Sequence, residues 1–279
     1  MPAPAVRVSA RNATFQRWQT LLTNRTKRHR AGEFVVQGVR PISAAVEHGW
    51  VVRELLYDAG RPTLSRWARG LLDSVPARIA AVSSELIGEL GEKDADPPEL
   101  LAVVAIADDD VDRIPARDDL LVLAFDRPSS PGNLGTLIRS ADALGAHGLL
   151  VTGHAADPYD PRSVRASVGS LFALPVVRLD SPDLLIGRLT APGARLEVVG
   201  LTEDATDDLE RCDLRGPTVL VVGNEATGLS SAWRAACTRL AAIPMSGTAS
   251  SLNAATAGGI ALYEAARQRG SGSSSELRT

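Results

Sequence analysis

Three stretches of this chain gather polar and glycine residues where apolar runs end. The first, residues 124–146, reads AFDRPSSPGNLGTLIRSADALGA. Pro128, Pro131, Gly132 and Gly135 make an irregular turn, and Asn133 stands just before a helical pattern that carries Arg139. An amide at a helix head can cap it or face a ligand. Arg139 falls on an otherwise small or apolar helix, with Leu134, Leu137 and Ile138. The plainer reading is a cap and a solvated charge. The second stretch, VLVVGNEATGLS at residues 219–230, runs β-branched residues into Gly223, where a ligand can approach the backbone closely. Glu225 then offers a carboxylate to a hydroxyl or amino group; otherwise it is a solvated acid in a turn. The third stretch, residues 243–269, passes from Ile243 and Met245 through small polar residues to Ser250, Ser251, Leu252 and Asn253. A helix rich in alanine and glycine follows. Serine at a helix start is commonly only a cap. Gly258 and Gly259 are harder to dismiss, since glycine costs a helix about 1 kcal/mol against alanine. That helix is expected to press closely on its own sheet or on a partner chain.

Other chemistries lack their residues. The chain has no GxGxxG, no GxxxxGK[ST] and no GxSxG, so dinucleotide, P-loop and α/β-hydrolase sites are not supported. Cys212 and Cys237 form no CxxC, and His29, His48, His147 and His154 show no ligand spacing, so no metal is expected. No apolar run is long enough to span a membrane, and no apolar signal core opens the chain, so a cytoplasmic home is the default.

The elements that position the three loops follow from periodicity. Residues 12–31 predict one basic amphipathic helix with Phe15, Trp18, Leu21 and Leu22 on one face. EFVVQG, VRELLYD and ELLAVVAIA read as strands, alternating with helical stretches RPISAAVEHG, LSRWARGLLDSV and SSELIGELG. This gives a small α/β domain over residues 1–107, basic arm included. Residues 108–119, DDDVDRIPARDD, read as an acidic linker. From there to residue 269, strand-like runs LLVLAFD, GLLVT, ALPVVRL, LEVVGLT, TVLVVGN and RLAAIPM predict a largely parallel sheet covered on both faces. Each of the three loops leaves such a strand, and open α/β sheets collect ligands at the carboxyl ends of their strands. Residues 270–279, GSGSSSELRT, predict a disordered tail.

Over 279 residues the net charge is −3, which taken alone disfavours a nucleic-acid partner. The total hides an asymmetry. Arg7, Arg11, Arg17, Arg25, Lys27, Arg28 and Arg30 precede the first acid, Glu33, so the first 32 residues carry +7 and the rest −10. A basic arm ahead of an acidic body points to a phosphate-rich partner. Hydrophobic residues at 44% and charged residues at 23% exclude a mostly disordered chain.

Together and in order, SPGNLGTLIRSADALGA, LVVGNEATGLS and IPMSGTASSLNAATAGGIAL resemble the motifs of the SpoU/TrmH family, RNA ribose 2′-O-methyltransferases of the SPOUT class. VRASVGSLFALPV resembles the family's intervening segment, and residues 120–269 are covered. Asn224, Ala226 and Ala255 are mild departures. KRHRAGEFVVQGVRPISAAVEHGWVVRELLY is similar, more loosely, to the opening of the L30e-like RNA-binding domain often fused to this family. The resemblance implies an α/β fold with a knotted SPOUT catalytic domain, S-adenosyl-L-methionine as cofactor, and a homodimer through the catalytic domain. Length, arginine content and the basic arm also resemble the actinobacterial enzymes of avilamycin- and thiostrepton-resistance type. These imply a uridine of large-subunit (23S) rRNA as target; a housekeeping rRNA or tRNA methyltransferase is the alternative. A non-catalytic RNA-binding module is the competing class, against which Asn133, Arg139, Glu225 and Asn253 argue.

The same resemblance nominates Arg139 as the catalytic group. Because arginine stays protonated, it is expected to orient the phosphate and stabilise the 2′-oxyanion, with base action second. Asn133 would hold the ribose or the arginine, and Glu225 would orient polar groups at the reacting centre. Gly223, Ile243 and Leu252 would contact the cofactor, with Met245, Ser251 and Asn253 shaping its pocket. Arg165, Arg25, Lys27, Arg28 and Arg30 would meet RNA, Arg165 alternatively the partner protomer.

Overall fold

The computed structural model describes residues 6–91, 96–182 and 195–273. They fall into two compact units, Met1–Ala107 with Tyr159–Ala173, and Asp108–Pro158 with Leu174–Thr279.

The first unit contains β1 (Val6–Val8), α1 (Ala13–Thr23), α2 (Arg25–Ala31), β2 (Glu33–Gln37), α3 (Val39–Glu47), β3 (Val52–Asp58), α4 (Arg66–Ser74), β4 (Arg78–Val82), α5 (Ser84–Leu90) and β5 (Leu100–Ala105). Its sheet runs β1-β4-β3-β5-β2, with β5 antiparallel to both neighbours. The single basic helix expected over residues 12–31 is two helices. Asn24 takes extended backbone, φ −127° and ψ 105°, and its Oδ1 accepts from Lys27 N at 3.0 Å, so it ends α1 and caps α2. The apolar face of α1 buries Phe15, Trp18 and Leu21 against the sheet, each worth about 1.5–3 kcal/mol.

Much of the basic arm is spent inside this unit. Arg11 pairs with Glu85 and Glu89, and Arg17 bridges Glu33 and Glu54. Arg28 is 2% exposed and donates to Leu21 O at 2.6 Å. It is therefore corrected from an RNA contact to an internal tie, because its guanidinium turns back to the open carbonyls at the end of α1.

Tyr159–Ala173, with α7 (Pro161–Ser167) and α8 (Ser170–Ala173), packs in this unit, although the sequence assigned it to the catalytic domain. An aromatic cluster accounts for it. Tyr159 and Phe172 lie against Phe34 and Trp50, and Trp50 Nε1 donates to Phe172 O at 3.0 Å.

The second unit contains β6 (Leu121–Asp126), α6 (Pro131–Ala143), β7 (Gly148–Thr152), β8 (Val176–Leu179), β9 (Glu197–Leu201), β10 (Thr218–Val222), α9 (Ser231–Ala236), β11 (Arg239–Ala241) and α10 (Ala254–Ser273). Its sheet, β11-β9-β10-β6-β7-β8, is parallel throughout. Every residue of β6, β7 and β10 is buried, as a doubly covered sheet demands. Val122, Ala124, Val219 and Val221 share one core with Trp233 of α9. Val111 and Ile114 join that core, so the stretch read as a linker contributes a 3-10 turn, Val111–Arg113, to this unit. On the other face, a Cβ on Gly258 of α10 would meet Leu137 of α6 at 2.6 Å and Val222 at 3.0 Å, which is the close approach its glycine content implied. The last helix runs to Ser273, so residues 270–273 are helical; the rest of the expected tail, 274–279, lies outside the described residues.

Candidate active site

The strand order assembles the site. β11, β9, β10 and β6 are successive neighbours, so the loops leaving their carboxyl ends converge on one edge. A cavity of about 200 Å³ opens there. Gly223, Ile243, Met245, Ser251 and Leu252 all line it, so the structure brings together these five residues of the expected pocket. Thr202 and Glu203, just beyond β9, complete the wall and carried no motif in the sequence.

On the cavity wall, Glu225 ties the loops together. Its Oε2 accepts from Ser129 N at 2.9 Å and Ser129 Oγ at 2.8 Å. Its Oε1 accepts from Ser130 N at 3.1 Å and Asn133 Nδ2 at 3.0 Å. Partial burial pushes the carboxyl's pKa up, but the donations from Ser129 and Asn133 outweigh it and hold it below the ordinary glutamate range. A carboxylate can only accept, so Asn133 must turn its NH2 towards Glu225. Its Oδ1 then faces Asn253 and accepts from Asn253 Nδ2 at 3.2 Å. That leaves Asn253 Oδ1 to cap α10, accepting from Ala255 N at 2.9 Å and Thr256 N at 3.3 Å. One negative charge thus sets the direction of two amides and locks three loops.

These contacts correct several local expectations. Asn133 is not a cap: α6 begins at Pro131, and Ser130 is the residue whose side chain accepts from Asn133 N. Ser251 is not a cap either, since Asn253 fills that role. Asn253 lies in the junction rather than on the cavity wall. Sequence reasoning missed Ser129 and Ser130 as partners of Glu225; their place immediately before a proline at a helix start was the available signal.

Arg139 lies on α6, is exposed, and is not among the residues lining the cavity. Among the described residues, no hydrogen bond or ion pair holds its guanidinium. Arg165 lies in the first unit on α7, where Gln37 Oε1 accepts from its Nη2 at 2.9 Å in the amide orientation that satisfies both ends. Arg25, Lys27 and Arg30 are exposed on α2.

The chemistry of the lining can be tested against S-adenosylmethionine, which joins an adenine to a cationic sulfonium and an amino acid. Glu203 and Glu225 give the wall two carboxylates, and no Lys or Arg of the described residues lines it. Such a wall favours a cation and disfavours a polyphosphate. Ile243, Leu252 and Met245 offer the apolar surface that a flat base requires.

Comparison with known proteins agrees with this architecture. Residues 12–102 match the SpoU L30e-like domain and residues 120–263 match the SpoU rRNA Methylase family. The chain is 57% identical over 271 residues to the 23S rRNA (uridine(2479)-2′-O)-methyltransferase of Streptomyces viridochromogenes, covering 96% of this chain and 94% of that one. The crystal structure of the SpoU methyltransferase AviRb from Streptomyces viridochromogenes, in complex with the cofactor AdoMet, matches with a TM-score of 0.89 at 58% identity, covering 94% of this chain and 99% of that one. An AdoMet-bound rRNA methyltransferase from Sinorhizobium meliloti matches with a TM-score of 0.83 at 30% identity, covering 94% and 98%. With both halves matched over nearly their full length and the three loops meeting at one site, the chain belongs to the SpoU rRNA methylase family.

Proposed function

We propose that this chain transfers the methyl group of S-adenosylmethionine to a ribose 2′-oxygen of RNA, with a uridine of 23S rRNA as its target. The observation that carries the proposal is the Glu225–Asn133–Asn253 junction standing beside an acidic and apolar cavity. The named target rests on 57% identity, over almost the whole chain, to an enzyme of that specificity.

When bound, the cofactor supplies an electrophilic methyl on a sulfonium. The chain's own residues do the rest. Gly223, Ile243, Met245, Ser251 and Leu252 wall the cavity and place the donor. Glu225 and the two asparagines hold three loops in one register, so little reorganisation is needed when the reactants meet. Glu225 is engaged by four donations and stays anionic, so it orients rather than abstracts the proton. Arg139 has a guanidinium free to meet the substrate phosphate and the developing 2′-oxyanion, and water takes the displaced proton.

The working unit of this reading is a cytoplasmic homodimer. Its support is α10, which leaves Ile260 38% and Tyr263 60% exposed three residues apart on one face. No helix among the described residues is long and apolar enough to cross a membrane. Ile260→Arg should halve the mass seen by light scattering; an unchanged mass would remove α10 from the interface.

Mass mapping of rRNA from cells with and without the chain tests the target. One additional methyl on a 23S rRNA uridine, with tolerance to an avilamycin-type antibiotic, is the expected result. Methylation confined to tRNA would favour the housekeeping role, and no methylation anywhere would favour a non-catalytic RNA-binding module.

A further inference from the structure

Arg127 follows β6 directly and carries φ +50°, a conformation that residues other than glycine rarely adopt. Its backbone is fixed from two sides: Arg127 N donates to Thr152 O at 3.0 Å, and Asn224 Nδ2 donates to Arg127 O at 2.6 Å. Its side chain lies over Gly153, where a Cβ would come within 2.9 Å of Arg127 Cγ, so a glycine there leaves it room. The guanidinium then reaches three acceptors. Nε and Nη2 each donate to the carboxylate of Asp126 at 3.2 Å, and Asp126 is 2% exposed. Nη2 also donates to Gly228 O at 2.9 Å, while Nη1 donates to Thr227 Oγ1 at 3.3 Å.

The Gly228 carbonyl is a meaningful place to hold. The same oxygen accepts from Asn224 N at 3.0 Å, closing the turn 224–228. Gly223 is pressed against that turn so tightly that a Cβ on it would sit 2.4 Å from Gly228 C. Gly223 and Asn224 are cavity wall. A pull on Gly228 therefore acts on the wall through rigid backbone contact. Glu225 fastens one side of this loop to the start of α6, and Arg127 fastens the other to β6. Asp126 braces the arrangement: it accepts from Ser230 N at 2.7 Å and from Thr152 Oγ1 at 3.3 Å, and Thr152 Oγ1 in turn accepts from Trp233 Nε1 at 2.8 Å.

We propose that Arg127 is a positioning residue for the cofactor site, clamping the 223–230 loop so that the Gly223–Asn224 wall is formed before the cofactor arrives. It contacts neither reacting atom; it sets the fraction of molecules whose cavity is ready, and apparent affinity scales with that fraction. This rests on the cofactor reading of the cavity given above.

The test is calorimetric binding of S-adenosylhomocysteine, beside thermal melting and steady-state kinetics, on the full chain. Leu252→Arg is the control for the cavity itself. Arg127→Gly removes the clamp, and glycine adopts φ +50° freely. Arg127→Lys keeps a charge for buried Asp126, and so protects the fold, but its single ammonium cannot span Asp126 and Gly228 as a planar fork does. The expected result is binding about tenfold weaker in Arg127→Gly and a smaller loss in Arg127→Lys. Arg127→Lys should keep the wild-type melting temperature, and KM for the cofactor should rise more than kcat falls in both variants. Binding by Arg127→Gly within about twofold of wild type overturns the proposal, as does a loss that merely follows the unfolded fraction. Tight binding by wild type and by Leu252→Arg alike would overturn the cavity reading and this inference with it; loss in Leu252→Arg alone would overturn only the inference.

Discussion

Glu225 shows how one side chain can organise a site without doing its chemistry. Both carboxylate oxygens already receive two donations each. Glu225→Gln replaces one oxygen by an NH2 that must face two donors, so the isosteric change is not conservative. Methyl transfer should fall about tenfold or more, measured as kcat/KM with labelled cofactor. The same carboxyl has its pKa held below the ordinary range in the fold, so it adds stability above the unfolded group's pKa. That contribution disappears as the pH falls through the lowered folded value. Wild type should accordingly exceed Glu225→Gln in denaturant stability at neutral pH, and the gap should close in acid; a pH-independent gap would deny the linkage. Arg139 predicts the opposite division of labour. Because it lies outside the cavity lining, Arg139→Ala should cost about 10²–10³ in kcat while calorimetry shows cofactor affinity unchanged. At this scale the sequence revealed the motif residues but not their partners. Ser129 and Ser130 meet Glu225 across nearly a hundred positions, which only the strand order brings together. Nor could charge counting foresee that Arg28 would turn back on the end of the preceding helix.

The elements of the second unit were legible for a physical reason. Strands covered on both faces are continuous apolar runs, and β6, β7 and β10 carry no exposed residue to break the pattern. β1 and β4 escaped because a three-residue edge and RIAAV offer too little alternation to separate from a loop. Asn24 escaped because the apolar spacing runs up to it and only its backbone breaks the helix. Val111 and Ile114 escaped because two apolar residues among acids show no period. Packing between elements also gives meaning to individual glycines. On α10, Gly258 is wedged against Leu137 and Val222, both within buried core, so Gly258→Ala should lower stability by about 1 kcal/mol or more in denaturant. On α4, Gly70 has open space around its absent side chain. Gly70→Ala should raise stability by about 0.5–1 kcal/mol, since only helix propensity changes. Equal effects of the two substitutions would mean that close approach does not govern the α6–α10 contact.

For the molecule as a whole, a net charge of −3 is a poor guide to an RNA partner, and so is the +7 of the opening segment. Arg11, Arg17 and Arg28 hold the first unit together, while Arg25, Lys27 and Arg30 are exposed on α2, and of these Lys27 and Arg30 are the pair to test for phosphate contact. Two kinds of basic side chain therefore contribute to the same charge count, and they should separate by experiment. Each phosphate contact releases counterions and adds about 0.7 to 0.9 to the slope of log affinity against log salt. The double variant Lys27→Ala/Arg30→Ala should thus lower that slope by about 1.5 while the melting temperature holds. Arg28→Ala should do the reverse. It leaves the carbonyls of Leu21 and Leu22 without their Arg28 donor and removes one of the cations beside Asp160, another being Arg162, so stability should fall by about 3 kcal/mol. The salt slope of the molecules that remain folded should not change. RNA affinity measured between low and moderate salt, on chains first checked by melting, reads both at once. An unaltered slope in the double variant would move the RNA contact off α2 and onto other basic side chains, and a flattened slope in Arg28→Ala would make Arg28 an RNA contact after all.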